Sequence, residues 1–278
     1  MQIIHKPIDA QGYGLSFNLW KNFPSWEILG LHDRNVGIGF FDDFTEFHAS
    51  TLEGPYLLLE TTGVTIEQIN CTGNSATTAL GLLKIAHDGS TAEDEGVIQW
   101  GRGLCAPFKL VDHDVCFEAR IAVSANALVT ALYSWGIGLG EVGMGATDCL
   151  FVDTTQALAD KNFCGFVHLQ AETTYLDGAF KADGGTYQDG ATKTKLNALK
   201  TVTALTFFKV GFRYCAVPKS LKWFVDGVET SAAVLTATEL DAATFPDDVF
   251  MAPIFGIKAH ATTAADAYMD WWACAQTV

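Results

Sequence analysis

The chain is short of positive charge. Lys and Arg together number 17 against 32 Asp and Glu in 278 residues, for a net charge of −15. Phosphate backbones are held by clustered cations, so direct packing on nucleic acid is not expected. Cysteine occurs seven times, at 71, 105, 116, 149, 164, 215 and 274, an odd number with no C-x-x-C pair. That fits neither a disulfide framework nor a zinc site. Inside apolar runs such as "DVCFEARIAV" and "NFCGFVHL", a free cysteine serves as a small buried hydrophobe. No stretch reaches the roughly 18 uninterrupted apolar residues of a membrane span. The opening "MQIIHKPIDAQGYGLSFNLW" has no basic segment followed by an apolar run and a small-residue cleavage site. No signal peptide is expected, and synthesis in a cytoplasm is. Helical periodicity is also scarce, with one candidate helix at "TKLNALKTVTAL" and a single turn at "TATELDAATF".

What the chain does have is apolar content, 49% hydrophobic and 12% aromatic, enough to bury a sizeable core. About ten short segments rich in β-branched and aromatic residues are bounded by Gly, Asp, Asn, Thr or Pro. They are "YLLLETT", "VTIEQINC", "GVIQWG", "DVCFEARIAVS", "ALYSWGIGLG", "FCGFVHLQAE", "LTFFKVGFRYCAV", "LKWFVDGV", "VFMAPIFGIKAHA" and "AYMDWWACAQ". In "FEARIAV", Phe117, Ala119, Ile121 and Val123 share one face while Glu118, Arg120 and Ala122 share the other, as in a half-buried antiparallel strand. Without helices between the strands, apolar faces can be buried only sheet against sheet. The expected fold is all-β, one two-sheet antiparallel sandwich over residues 37–278.

Residues 1–36 follow neither period and are read as an N-terminal arm. Phe17, Trp20, Phe23 and Trp26 are its candidate interface residues, three of them crowded around Pro24. Aromatic residues are favoured interface anchors, and the alternative is a cap packed on the arm's own domain. Removing residues 1–30 is expected to leave a folded sandwich.

The succession F-E-A-R-I, K-V-G-F-R-Y, W-F-V-D-G-V and M-A-P-I-F-G-I-K, with "GFFDDFTEF" ahead of it, resembles the concanavalin A-like (LamG-like) jelly-roll domains of tailed-phage virion structural proteins. The resemblance runs in order over roughly residues 37–278 and leaves the arm outside. It implies a jelly roll in a virion structural protein, most of all a capsid decoration (cement) protein. That protein would sit on the capsid surface, bind the major capsid protein, form a homo-oligomer such as a trimer, and need no cofactor. A carbohydrate-binding module displayed on the virion, as a head fibre or tail-associated, with surface glycans as ligand, is the second expectation. A glycoside hydrolase is the third.

The carboxylates weigh against an enzyme. Sandwich glycosidases of the laminarinase type place paired carboxylates on one strand as E-x-D-x-x-E, and the partial match at Glu239 and Asp241 has Thr244 at the last position. Asp112-His113-Asp114 and Glu93-Asp94-Glu95 are the densest groups with metal-ligating chemistry, yet both read as solvated connections. Asp42 and Asp43 in "FFDDF" read as the lead-in to the first strand. The glycine-rich "GIGLGEVGMGATD" has no Lys and makes a poor phosphate cradle. Asp226-Gly227 reads as the tight turn of a hairpin. No catalytic, cofactor-binding or metal residue is assigned.

Overall fold

The computed structural model describes residues 14–44, 55–69, 81–101, 106–142, 150–152, 158–171 and 174–278. Cys71, Cys105 and Cys149 and residues 143–148 of the glycine-rich stretch lie outside these residues. Strands β1 (Gly37–Asp42), β2 (Tyr56–Glu60), β3 (Val64–Ile69), β4 (Leu82–His87), β5 (Glu95–Trp100), β6 (Val115–Val123), β7 (Tyr133–Glu141) and β8 (Phe163–His168) build the first half. The second half adds β9 (Tyr175–Lys181), β10 (Lys200–Thr201), β11 (Phe208–Cys215), β12 (Ser220–Val225), β13 (Val228–Glu229), β14 (Leu235–Thr236), β15 (Met251–Ala259) and β16 (Ala265–Thr277). Among the described residues the two α-helices, α1 (Phe17–Trp20) and α2 (Ala237–Leu240), are one turn each.

Two antiparallel sheets result. The nine-stranded sheet runs β13-β12-β11-β6-β16-β4-β3, with β1 also on β16 and β14 on β12. The seven-stranded sheet runs β10-β9-β8-β7-β15-β5-β2. Each of the ten segments read as strands in the sequence overlaps one. The alternation in β6 sends Phe117, Ala119, Ile121 and Val123 into the core between the sheets, where they meet Tyr133, Trp135, Ile137, Phe166 and Phe255 of the opposite sheet. Trp223 of β12 meets Phe166 of β8 edge-to-face, ring centroids 5.0 Å apart, the arrangement that ring quadrupoles favour.

The helix read at "TKLNALKTVTAL" does not form. Thr194–Leu196 makes a single 3-10 turn, and β10 follows at Lys200–Thr201. Ala198 stands at φ 52, outside the right-handed helix region, and its N–H donates to the Asp177 carboxylate at 2.6 Å. The chain therefore turns where periodicity alone would continue.

Both outer faces are covered as well. On the nine-stranded sheet the described part of the arm lies over Cys116, Phe224, Ala273 and Ala275. On the seven-stranded sheet Leu150, Phe151 and Leu158 lie over Val97, Phe163, Val167, Ala179 and Ile254. Small residues on the outward side make room. A Cβ on Gly211 would stand 2.4 Å from the Leu19 side chain, and one on Gly256 3.1 Å from Leu150.

Candidate functional site

The arm residues part company. Trp20 and Phe23 are buried on their own sheet with Leu19, Ile28 and Leu29, so these two predicted anchors are spent on an intrachain contact. Sheet strands that turn Cys116, Ala273 and Ala275 outward offer an apolar floor, and the aromatic side chains fill it. Phe17 faces solvent, 60% exposed, and Trp26 begins a single wide helical turn at Trp26–Gly30. A cavity of about 290 Å³ opens beside α1, lined by Leu15, Phe17, Trp20 and Phe23 among others. The arm is fastened by Glu118 of β6, whose Oε2 accepts the Trp20 indole N–H at 2.8 Å and the Ser16 N–H at 2.9 Å. Burial pushes the Glu118 carboxyl up, against the pull of those two donors and of Lys209.

The carboxylates singled out in the sequence are structural and are not brought together. Asp226 and Gly227 have φ 49 and 76, the two positive values of a tight hairpin turn. Asp226 accepts the Lys209 N–H at 3.0 Å and the Lys200 ammonium at 2.6 Å. Glu239 closes a capping box with Thr236 on α2 and accepts from Lys195 at 2.6 Å. Burial pushes its carboxyl up, but Lys195 and Thr236 hold it below the usual range. Asp241 pairs instead with Lys219 at 2.6 Å. Asp114 accepts the Ala216 N–H at 2.9 Å and Arg213 at 3.2 Å, and Asp42 accepts from the Tyr56 hydroxyl and the Phe44 N–H. The run Glu93-Asp94-Glu95 splits three ways: Glu93 lies 3.7 Å from His260, Asp94 3.9 Å from His87, and Glu95 3.9 Å from Lys258. Among the described residues no group of three His, Cys, Asp or Glu is placed to hold a metal ion.

One constellation has no signal in the sequence. At the end of the sandwich where β4, β6, β8 and β15 finish, the Ser134 hydroxyl lies 3.0 Å from His260 Nε2, and Glu93 stands behind the same ring. The order is that of a nucleophile, base and orienting acid, from residues as much as 126 positions apart. It cannot work as one. Ser134 is fully buried, and its Oγ already accepts the Gln170 N–H at 3.1 Å. The group ties three loops together. His87 and His168 do likewise: His87 Nδ1 lies 2.9 Å from the Tyr133 hydroxyl and accepts the Gly89 N–H at 3.0 Å, while His168 Nδ1 donates to the Tyr175 carbonyl at 2.7 Å. Burial lowers the pKa of both rings.

The same rim exposes apolar surface on adjoining loops. Tyr175, Val129 and Leu205 are 44%, 45% and 64% exposed. The loops are joined by Ala131 N–H to Gln170 O, Val202 N–H to Thr174 O and Leu205 N–H to Val123 O. Leu205 holds φ 54, a left-handed conformation uncommon for a leucine, with its side chain turned largely to water.

No protein-family model and no curated sequence matches the chain. Among solved structures it is similar to a protein of unknown function from Shewanella oneidensis MR-1, with TM-score 0.53, 14% identity and 88% of each chain covered. It is similar to the carbohydrate recognition domain of Emp47p, with TM-score 0.53 and 8% identity over 88% of this chain and 99% of that one. It is similar also to basic winged bean lectin, solved with Tn-antigen, with TM-score 0.50 and 12% identity over 87% and 99%. At such identities the likeness is one of fold: an all-β, concanavalin A-like jelly roll of two antiparallel sheets.

Proposed function

We propose that the chain is a carbohydrate-binding jelly roll without catalytic activity. The observation that carries this reading is the extent of the fold likeness, which takes in 99% of the Emp47p carbohydrate recognition domain. The carboxylates add support, since those a sandwich hydrolase would use are committed to a helix cap, a turn and separate ion pairs. Ligands are held by an aromatic face together with nearby polar groups, and the loop rim offers the exposed Tyr175 next to Thr174. A glycan array followed by calorimetry on the best ligand tests the reading. Binding that Tyr175→Ala weakens about tenfold or more, with the fold intact by circular dichroism, supports it. Absence of any glycan bound, or release of reducing sugar from one, overturns it.

Attachment to a phage capsid, with the major capsid protein as partner, is a second reading. It is favoured by the exposed Phe17 beside the exposed Val228, joined through the Asn18 side chain to the Gly227 carbonyl at 3.2 Å. The four motifs behind the virion resemblance fall on β6, β11, β12 and β15, core strands that specify a fold more firmly than a function. Co-sedimentation with capsid shells, abolished by Phe17→Asp, would favour this reading over the first.

A further inference from the structure

His87 closes β4, and its side chain is 2% exposed. Its Cα partners, Val64 on β3 and Ala265 on β16, bring no charge to it. The groups that face the ring come from elsewhere. Nδ1 accepts the Gly89 N–H at 3.0 Å and lies 2.9 Å from the Tyr133 hydroxyl of β7. Nε2 lies 3.9 Å from the buried Asp94 carboxylate, beyond the reach of a hydrogen bond. Asp88 and the Thr91 carbonyl also bear on the ring. Nδ1 cannot serve both of its neighbours, because a ring nitrogen either accepts or donates. To accept from Gly89 it must be bare, which puts the proton of the neutral ring on Nε2. The Tyr133 hydroxyl has one proton and donates it to the Thr263 carbonyl. Toward Nδ1 it therefore presents a lone pair, which only a protonated Nδ1 can satisfy. Burial, reinforced by Asp266 and Asp88, pushes the Tyr133 pKa up, so the hydroxyl keeps that proton throughout the acid range.

We propose that His87 is a proton-operated latch: neutral, it holds the turn at residues 88–91 through the Gly89 amide; charged, it releases that amide and grips Tyr133 and Asp94 instead. The arriving proton goes to Nδ1, which then donates to the Tyr133 oxygen. The positive ring draws the Asp94 carboxylate toward the Nε2 proton across the present 3.9 Å gap. One neutral bond is thus exchanged for two made by a cation, and charge-assisted bonds are roughly twice as strong as neutral ones. Desolvation opposes the change. It lowers the ring's pKa against Asp94, Asp88 and the Thr91 carbonyl, all of which favour the charged form, and so confines the swap to pH below the ordinary 6.5 of a histidine. The rest of the turn does not depend on the ring. The Asp88 N–H donates to the Gly63 carbonyl at 2.9 Å, and the Ser90 N–H to the Asp88 carboxylate at 2.7 Å. Release therefore begins at Gly89, where the turn lies against the segment carrying Thr263: a Cβ on Gly89 would stand 2.5 Å from the Ala264 nitrogen. The proposal does not depend on the carbohydrate reading.

Nitrogen-15 spectra of the histidine rings in the full chain, with amide hydrogen exchange, test it between about pH 8 and pH 4.5. At the upper end the His87 ring should be the tautomer protonated on Nε2. Through its titration the Gly89 protection factor, corrected for the intrinsic pH dependence of exchange, should fall at least tenfold while that of Asp88 holds. Glutamine offers an acceptor that does not titrate, so in His87→Gln the Gly89 protection should no longer vary with pH. Tyr133→Phe removes the acceptor awaiting the charged ring and should move the release to lower pH. A ring protonated on Nδ1 at pH 8 overturns the proposal, as does Gly89 protection that stays constant through the titration or falls together with that of Asp88. A ring that stays neutral until the whole sandwich unfolds overturns it as well, and none of these readouts needs a variant.

Discussion

The two sheets solve one problem in two ways. Each has an outward face too apolar for water, and each is covered by a stretch of chain pinned through a buried glutamate. On the nine-stranded sheet, Glu118 accepts two neutral donors, the Ser16 amide and the Trp20 indole. On the seven-stranded sheet, Glu95 accepts the Leu150 N–H at 2.9 Å, and Lys258 donates to the Phe151 carbonyl at 3.0 Å, the two side chains lying 3.9 Å apart and each 1% exposed. A carboxylate with neutral donors bears its desolvation without a partner, which is why the Glu118 carboxyl is pushed up. A buried pair shares that cost, but becomes intolerant of losing either member. The first cover is therefore held mainly by its apolar side chains and the second by its polar pins.

Deleting residues 1–30 breaks the comparison most severely. It strips Leu19, Trp20, Phe23, Ile28 and Leu29 from the sheet, at about 1.5–3 kcal/mol for each large side chain, and bares the apolar floor beneath them together with Glu118. The sum is on the order of the whole stability of a domain. The packing thus argues for the opposite outcome to a sandwich that survives without its arm. The truncated protein should be insoluble or lack a cooperative urea transition, and an unchanged midpoint would show that the arm is dispensable. Trp20→Ala is the milder form, with an expected loss of about 3–5 kcal/mol.

Lys258→Met tests the other cover. Removing one partner of a buried ion pair costs about 3–5 kcal/mol, because the remaining charge is left uncompensated. Adding Glu95→Gln to Lys258→Met should recover part of that loss in urea denaturation. If the double variant is no more stable than the single one, the pair is not the unit that pins Leu150 and Phe151.

How far these covers could be read from the sequence depends on which side of each strand is considered. The inward residues alternate so regularly that the sandwich was legible from them. The outward ones, Cys116, Gly211, Ala273 and Ala275 on one sheet and Gly136 and Gly256 on the other, are too small and apolar for a solvated face. They were the signal that something lies on top, and without it Trp20 and Phe23 read as interface anchors. Local chemistry also misleads. Asp226-Gly227 is a turn, yet Asp177-Gly178 sits inside β9, because there the chain continues extended with Leu176 and Phe180 buried on the same face. The same dipeptide takes opposite roles, so β9 was not anticipated; nor was β4. The Ser134, His260 and Glu93 group could not be seen at all, since long-range pairing alone assembles it.

Acid and alkali should separate the buried groups. Glu118 has a folded pKa above its unfolded value near 4.5, so its contribution is fullest below that value and is lost as pH rises through the folded pKa. His87 and His168 have folded values below 6.5; their neutral burial contributes above that pH, and stability falls as pH drops through the window beneath it. Glu118→Gln keeps one acceptor for the arm, removes the first slope, and should change stability by on the order of 1 kcal/mol at neutral pH. His87→Gln should flatten the second. Melting curves at half-unit steps from pH 4 to 8 distinguish the two, and identical profiles for all three proteins would contradict both assignments.

The smallest expected effect sharpens the contrast between buried and exposed carboxylates. Glu239 resembles Glu118 in the bonds it makes, taking the Thr236 N–H at 2.9 Å and the Lys195 ammonium at 2.6 Å, but its side chain is 24% exposed. Water can replace much of what a substitution removes, and partly exposed ion pairs contribute at most about 1 kcal/mol. Glu239→Gln keeps the capping box, which glutamine also closes, and loses the charge opposite Lys195 and Lys193. Asp241→Asn loses an ion pair with Lys219 in which the Asp241 side chain is 63% exposed. Each should cost about 0.5 kcal/mol or less in urea denaturation, and neither should alter any activity toward glycans, because the two carboxylates point to different lysines and do not form a pair. A loss of more than about 2 kcal/mol in either variant would mean that burial is not what separates Glu118 from Glu239. A loss of glycan cleavage would restore the carboxylates to a chemical role.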